Sequence, residues 1–72
     1  MKNVLILGAS GRIARWVVQA LAGDRSVQQT LLLRDPKKLT GQEPANARVV
    51  IGSVLDKKLL RQAVAGQDIV YA

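Results

Sequence analysis

The chain has 72 residues, of which 49% are hydrophobic, carries a formal net charge of +6 and contains neither cysteine nor histidine. A domain of this size buries only roughly 60% of its unfolded surface, so we expect marginal stability. The composition excludes disulfides and a zinc site of the usual kind, and it favours a reducing, cytoplasmic setting. Charged residues interrupt every apolar run, so no segment approaches the roughly 20 apolar residues that cross a bilayer.

The excess positive charge raises the question of nucleic-acid binding, because basic faces bind phosphate backbones through counterion release. The basic residues are spread over four separate segments, however, and the aromatic residues are limited to Trp16 and Tyr71. Two isolated aromatic side chains provide no stacking platform for single strands. We therefore rank a basic nucleic-acid module last among the function classes and expect neither a nucleic-acid nor a membrane partner.

Short apolar runs alternate with helical patterns along the chain, which is typical of βαβ units around a parallel sheet. Continuous apolar runs suit strands that are covered on both faces, and they predict strands at 4–7, 30–33, 48–51 and 68–71. The crossover at 35–47 contains Asp-Pro and Glu-Pro turn signals and no full helix. The predicted order is β-α-β-β-α-β, the first half of a Rossmann-type, three-layer α/β sheet.

Both predicted helices have start and stop signals. The first is expected to bury the apolar residues that recur at helical spacing, which are Ile13, Ala14, Val17, Val18, Ala20 and Leu21. Gly23 is placed as its C-terminal cap. The second helix has Asp56 as its N-cap and ends at Gly66. It is expected to bury Leu59, Leu60, Ala63 and Val64, with Leu55 and Leu60 as a hydrophobic staple.

The strongest local signal is the segment Gly-Ala-Ser-Gly-Arg-Ile-Ala at 8–14, which lies directly between a predicted strand and a predicted helix. Gly8 permits a sharp exit from the strand, Gly11 lets the backbone approach a diphosphate closely, and Ala14 allows the helix to pack on the sheet. The unsatisfied N–H groups of the helix N-terminus would then face the diphosphate.

The spacing G-x-x-G-x-x-A of this segment departs from the G-x-G-x-x-G fingerprint of dinucleotide-binding domains. A plain strand-to-helix turn is the alternative interpretation. A nucleoside triphosphate P-loop is less favoured, since no Gly-Lys-Ser or Gly-Lys-Thr ending follows.

Arg34 follows the second predicted strand, at the position where an NAD-binding domain usually places an acid for the ribose 2′-hydroxyl. A guanidinium can bind a 2′-phosphate bidentately and stack on adenine, whereas a carboxylate would repel the phosphate. NADP(H) is therefore preferred over NAD(H). Arg12 is a second candidate phosphate partner and Lys37 or Lys38 a looser one, with a solvated surface cation as the alternative for each. Asp35 is interpreted as the start of a turn, with a ribose contact as the alternative.

Over its whole length the chain resembles the atypical short-chain dehydrogenase/reductases with an NAD(P)H-binding domain, including NmrA-like and flavin or biliverdin reductase-like proteins. The resemblance is carried by VLILGASGRIA, LLLRDPKKL and VVIGSVLDKKLLRQAVAGQDIVYA. It implies that the phosphates are surrounded by Gly8, Ser10, Gly11, Arg12 and Ile13. It also implies Arg34 at the 2′-phosphate and Ser53 with Val54 at the adenine, although Ser53 departs from the family's Gly-Asp pattern.

None of these residues transfers hydride, and in the reductase members of the family the nicotinamide and substrate groups come from later strands. We therefore expect residues 1–72 to be the N-terminal portion of a larger NAD(P)-binding domain, with an open sheet edge that invites self-association. The expected function is that of an NADPH-dependent oxidoreductase acting on an unidentified small acceptor. The alternative is a non-catalytic, NAD(P)-sensing regulator of the NmrA-like type.

Overall fold

The computed structural model describes residues 2–9, 11–35 and 43–71. Within them, four strands and two helices follow in the order β1 (Lys2–Leu7), α1 (Arg12–Leu21), β2 (Val27–Leu33), β3 (Ala47–Ile51), α2 (Lys57–Val64) and β4 (Ile69–Tyr71). This order confirms the predicted β-α-β-β-α-β arrangement. No helix in the described ranges is long and apolar enough to cross a membrane.

The four strands form one parallel sheet in the order β3-β2-β1-β4. The chain steps from β1 to β2 to β3 in one direction and then crosses back to place β4 on the other side of β1. Such a reversal opens a crevice at the carboxyl ends of the two strands that flank it. The architecture is that of a Rossmann-type α/β fold, and it directs attention to the ends of β1 and β4.

Helix α1 covers one face of the sheet. The buried core on this face is built from alternate residues of the strands, Val4 and Ile6 of β1 and Leu31 and Leu33 of β2, against Ala14 and Val18 of α1. The helical stripe that faces the sheet is therefore centred on Ala14 and Val18.

The expected burial of Ile13 and Ala20 is wrong. The side chain of Ile13 is 72% exposed, and Ala20 is also exposed. Each helical residue is rotated by roughly 100° from its neighbour, so a helix that points Ala14 at the sheet turns Ile13 toward solvent.

The two helices end in different ways. Gly66 has a φ of +78° just beyond α2, which confirms it as the residue that ends this helix. The predicted cap at Gly23 is wrong: the C-cap of α1 is Ala22 in right-handed helical conformation, and Gly23 has no positive φ. The Leu21 carbonyl oxygen at the end of α1 accepts from the Asp24 N–H at 3.1 Å and from the carboxamide of Asn46 at 2.9 Å, so a remote side chain contributes to the helix end.

Helix α2 lies over the opposite face, which completes the three layers. Asp56 is confirmed as its N-cap, because Asp56 Oδ1 accepts a hydrogen bond from the Leu59 N–H at 3.1 Å. The expected staple is wrong, since Leu55 is 83% exposed. The burial of α2 is only partial: Leu59, Leu60 and Ala63 are half-buried, and Val64 is exposed.

Replacing the N-cap by alanine, Asp56→Ala, is expected to reduce the free energy of unfolding by about 1 kcal/mol, because the Leu59 N–H loses its acceptor. Chemical denaturation followed by circular dichroism measures the change. Glu43→Ala serves as the control for loss of an exposed carboxylate outside a helix. Equal stability of Asp56→Ala and the unsubstituted protein would contradict the capping role.

Candidate functional site

The loop after β1 is a tight turn held by backbone hydrogen bonds. The Gly8 and Ala9 N–H groups both donate to the Leu32 carbonyl oxygen, at 3.0 and 3.3 Å, and the Gly11 N–H donates to the Gly8 carbonyl oxygen at 2.9 Å. Gly8 has a φ of +63°, a conformation that residues with a Cβ rarely adopt. The sharp exit from β1 that the sequence predicts at Gly8 is thus present.

Gly11 is the N-cap of α1 in an extended conformation, with φ −70° and ψ 157°, that any residue can adopt. A Cβ at this position would lie 3.4 Å from the Gly8 carbonyl oxygen, which is an ordinary contact. The fold alone therefore does not require glycine here, and Gly11 has no side chain that would keep another molecule away from its backbone. Gly11 offers no side chain to cap the helix, and the first turn of α1 contains no acid. These features leave the positive end of the helix dipole open to an anion.

A cavity of about 420 Å³ lies between this loop and the end of β4. The described residues that line it are Leu7, Gly8, Gly11, Arg12, Ile13, Ala14 and Tyr71. Tyr71 reaches the cavity because β4 pairs with β1 in a register that sets Tyr71 beside Ile6. The cavity thus occupies the crevice that the strand order creates, a preferred place for ligands in such sheets.

The structure brings four of the predicted phosphate-site residues together around this cavity: Gly8, Gly11, Arg12 and Ile13. The fifth, Ser10, lies outside the described residues, as do Lys37 and Lys38. The sequence predicts Tyr71 only as a residue of the strand at 68–71, and its place at the cavity was missed. Its position at the carboxyl end of a strand was the only available signal.

Arg34, Ser53 and Val54 lie at the carboxyl ends of the neighbouring strands, outside the cavity beside the loop. Arg34 is exposed and follows the buried Leu33, whose carbonyl oxygen accepts from the Gly52 N–H at 2.9 Å. This hydrogen bond sets the ends of β2 and β3 side by side. Arg34 and Ser53 therefore follow adjacent strands at the edge of the sheet that also carries the loop after β1.

Ser53 has a structural role in the turn before α2. Its Oγ accepts from the Leu55 N–H at 3.1 Å, and its carbonyl oxygen accepts from the Asp56 N–H at 3.0 Å. The hydroxyl of Ser53 keeps its proton for donation to another group. Val54 is 44% exposed, so its side chain offers apolar surface at the same edge.

Gly52 separates the end of β3 from helix α2. A Cβ at Gly52 would overlap Leu59 Cδ2, so a larger residue here would force the Leu59 side chain of α2 to move. No group of three or more His, Cys, Asp or Glu that could hold a metal ion occurs in the described ranges. The chemistry available at this edge consists of backbone N–H donors, guanidinium groups, hydroxyls and a small apolar surface.

Comparison with known proteins places these features in a family context. A family model described as NAD(P)H-binding matches residues 8–72. Protein YmjC of Escherichia coli (strain K12) is 52% identical over 46 residues, which cover 64% of this chain and 77% of that protein.

Solved structures extend the comparison to the whole fold. A Rossmann-fold NAD(P)-binding family protein from Shigella flexneri is similar with a TM-score of 0.94 and 51% identity, covering 100% of this chain and 36% of that one. A short-chain dehydrogenase/reductase of the wide type from Veillonella parvula, in complex with NADP, is similar with a TM-score of 0.74 and 28% identity. That match covers 96% of this chain and 33% of the other. The chain thus spans about a third of the length of these solved structures.

Proposed function

The chain belongs to the NAD(P)H-binding family, and on that premise we propose that it forms the NADP(H)-binding portion of an oxidoreductase that reduces a small acceptor. The cavity of about 420 Å³ between β4 and the loop after β1, called the glycine loop for its Gly8 and Gly11, is the observation that carries the proposal. It combines a backbone that a ligand can approach closely with an uncapped helix N-terminus. Both features suit a diphosphate.

The phosphate groups are assigned to the loop and the first turn of α1. The proposed contacts are Gly8, Ser10, Gly11, Arg12 and Ile13. Arg12 is exposed at the rim of the cavity and supplies a positive charge, while Ile13 supplies apolar surface beside it. When bound, the cofactor would supply hydride chemistry; the residues of this chain bind and orient it.

The preference for NADP(H) over NAD(H) is assigned to Arg34. Its exposed guanidinium lies at the end of β2, where it can bind a 2′-phosphate. NAD-binding domains usually have an acidic residue at this position, and here it is arginine. A structural relative in complex with NADP supports NADP(H) as the cofactor of the fold. Ser53 and Val54 are proposed to contact the adenine, with the Ser53 hydroxyl donating one hydrogen bond and Val54 packing against the ring.

The acceptor and the residues that transfer hydride are proposed to lie beyond the segments described above, since the chain spans about a third of its solved relatives. We also propose that the protein acts in the cytoplasm, where NADPH is available. Disulfides are rare in this compartment, and the chain has no cysteine with which to form one.

Titration calorimetry with NADPH tests the binding proposal most directly. The variant Gly11→Ala is expected to weaken NADPH binding at least tenfold, because the fold tolerates the methyl group whereas a closely bound diphosphate does not. Gly23→Ala is the matched control, since a Cβ there meets nothing within 4 Å. Unchanged affinity in Gly11→Ala, or equal losses in both variants, would overturn the assignment of the loop.

The catalytic part of the proposal is tested separately, by following NADPH oxidation with a panel of quinone, flavin and carbonyl acceptors. Turnover that is lost in Gly11→Ala supports the oxidoreductase. Tight NADPH binding without turnover on any acceptor would instead assign the protein to the non-catalytic regulators.

A further inference from the structure

A second cavity, of about 410 Å³, lies on the face of the sheet that α2 covers, near the amino-terminal ends of the strands. Its polar lining comes from Asn3, Gln28, Thr30 and Arg48 on three neighbouring strands and from Gln67 after α2. Asn3 pairs with Gln28 and Thr30 with Arg48, so these side chains project from the same face. The volume lies within the range of small-molecule sites, roughly 300–1,000 Å³.

This polar cavity is distinct from the first cavity, which lies between the loop after β1 and the end of β4. Asn3 stands near the start of β1, whereas Gly8 follows its end, a separation of roughly 16 Å at about 3.3 Å per residue. Further along β1 and β2 the same face becomes apolar, with Leu5 and Leu32 buried. The polar residues thus form a separate patch at one end of this face.

Thr30 is the buried centre of the cavity, with only 3% of its surface exposed. Its Oγ1 accepts hydrogen bonds from Arg48 Nε and from Gln67 Nε2, both at 3.4 Å. The Gln67 carboxamide is oriented by a further bond from Nε2 to the Ala63 carbonyl oxygen at 3.0 Å, and its Oε1 is buried without a partner among the residues that the structure describes. Because two donors already occupy Oγ1, the hydroxyl proton of Thr30 is left to donate to a third group.

Arg48 supplies the charge of the cavity. Its Nε is engaged by Thr30, and its two terminal amino groups have no hydrogen-bond or ion-pair partner among the described residues. None of the described residues that line the cavity is acidic. Within the described part of the chain, the terminal donors of this guanidinium and the hydroxyl proton of Thr30 are available together, and they match the acceptor oxygens of a carboxylate or a phosphate.

We propose that this polar cavity binds a small organic oxyanion, a carboxylate or a phosphate ester, through the Arg48 guanidinium and the Thr30 hydroxyl. The carboxamides of Asn3 and Gln28 at its edge add hydrogen-bonding groups for the remainder of the molecule. The site is independent of the proposed cofactor site, because the two share no lining residue.

Nuclear magnetic resonance titration with L-malate and with glycerol 3-phosphate tests the proposal. At least one probe is expected to produce saturable shifts of the backbone amides of Gln28, Thr30, Arg48 and Gln67, and the same shifts in the presence of saturating NADPH. Preference for malate would identify a carboxylate ligand, and preference for glycerol 3-phosphate a phosphate ester.

The variant Arg48→Gln is expected to weaken this binding at least tenfold. Arg48 is exposed, so its replacement leaves the core intact, and a thermal melt verifies the fold of the variant. Arg25→Gln, which removes an exposed cation from the turn before β2, is the matched control and should change the affinity less than twofold. The proposal is overturned by the absence of saturable shifts with both probes, by shifts centred on Arg34 or Gly11, or by equal losses in the two variants.

Discussion

Arg34→Glu is expected to weaken NADPH binding by about 100-fold while changing the NADH affinity less than about threefold. The substitution removes charge-assisted hydrogen bonds to the 2′-phosphate, each about 1.5–3 kcal/mol, and sets a carboxylate against the phosphate. About 1.4 kcal/mol corresponds to each factor of ten in affinity. NADH has a hydroxyl at the same position, which a carboxylate can accept from. Titration calorimetry with both cofactors measures the ratio.

Two further variants separate the specific contact from general electrostatics. Arg34→Gln removes the charge without adding repulsion, and its loss of NADPH affinity should fall between those of the unsubstituted protein and Arg34→Glu. Arg25→Glu makes the same change of charge on an exposed turn and should affect both cofactors alike and only slightly. An equal loss of NADPH and NADH affinity in Arg34→Glu would remove the assignment of the 2′-phosphate to this residue.

The order of the elements could be predicted because its signals are local. Leu31, Leu32 and Leu33 are at most 2% exposed, so this strand is covered on both faces and its sequence is a continuous apolar run. The glycine loop could be placed for the same reason, since a strand, a turn at Gly8 and a helix follow one another directly.

The burial of α1 could not be predicted from periodicity alone. Ile13 and Trp16 are 72% and 81% exposed, while Ala14 and Val18 of the same helix are buried. Apolar residues stand on both sides of the helix, and only packing against the sheet decides which side is covered. The position of Tyr71 at the cavity could not be predicted for the same reason, because it depends on the pairing of Tyr71 with Ile6, 65 residues earlier in the chain.

The start of β2 was also missed, because polar residues follow Val27 at the beginning of this strand. The strand begins at Val27 rather than at Thr30, and it includes Gln29, which is 0% exposed. A fully buried glutamine within a strand requires partners. Gln29 Nε2 donates to the Val18 carbonyl oxygen and to Asn46 Oδ1, each at 3.2 Å. One acceptor for the Gln29 carboxamide nitrogen is therefore a side chain 17 residues away, while Gln29 Oε1 is buried with no hydrogen-bond partner among the described residues.

Asn46→Ala is accordingly expected to lower the free energy of unfolding by about 2–3 kcal/mol. The Asn46 carboxamide nitrogen lies within hydrogen-bond distance of the carbonyl oxygens of Leu21, Asp24 and Val27, at 2.9, 3.2 and 3.1 Å. Its loss removes the bonds that join the end of α1, Gln29 and the segment before β3, each of which contributes about 0.5–1.5 kcal/mol to stability. The Leu21 and Asp24 carbonyl oxygens keep backbone N–H donors, and Gln29 Nε2 keeps the Val18 carbonyl oxygen as its acceptor. Thermal and urea denaturation followed by circular dichroism measure the change, which for so small a domain corresponds to roughly 10–20 °C in Tm.

Asn3→Ala is the matched control for this variant, since among the described residues the Asn3 carboxamide makes one exposed bond, to the Gly66 carbonyl oxygen at 3.3 Å. Its expected loss is below about 1 kcal/mol. Asn46→Asp retains an acceptor for Gln29 but no donor for the three carbonyl groups, so at neutral pH it should destabilise the protein at least as much as Asn46→Ala. If Asn46→Ala and Asn3→Ala had the same stability, Asn46 would not be the residue that joins α1, β2 and the segment before β3.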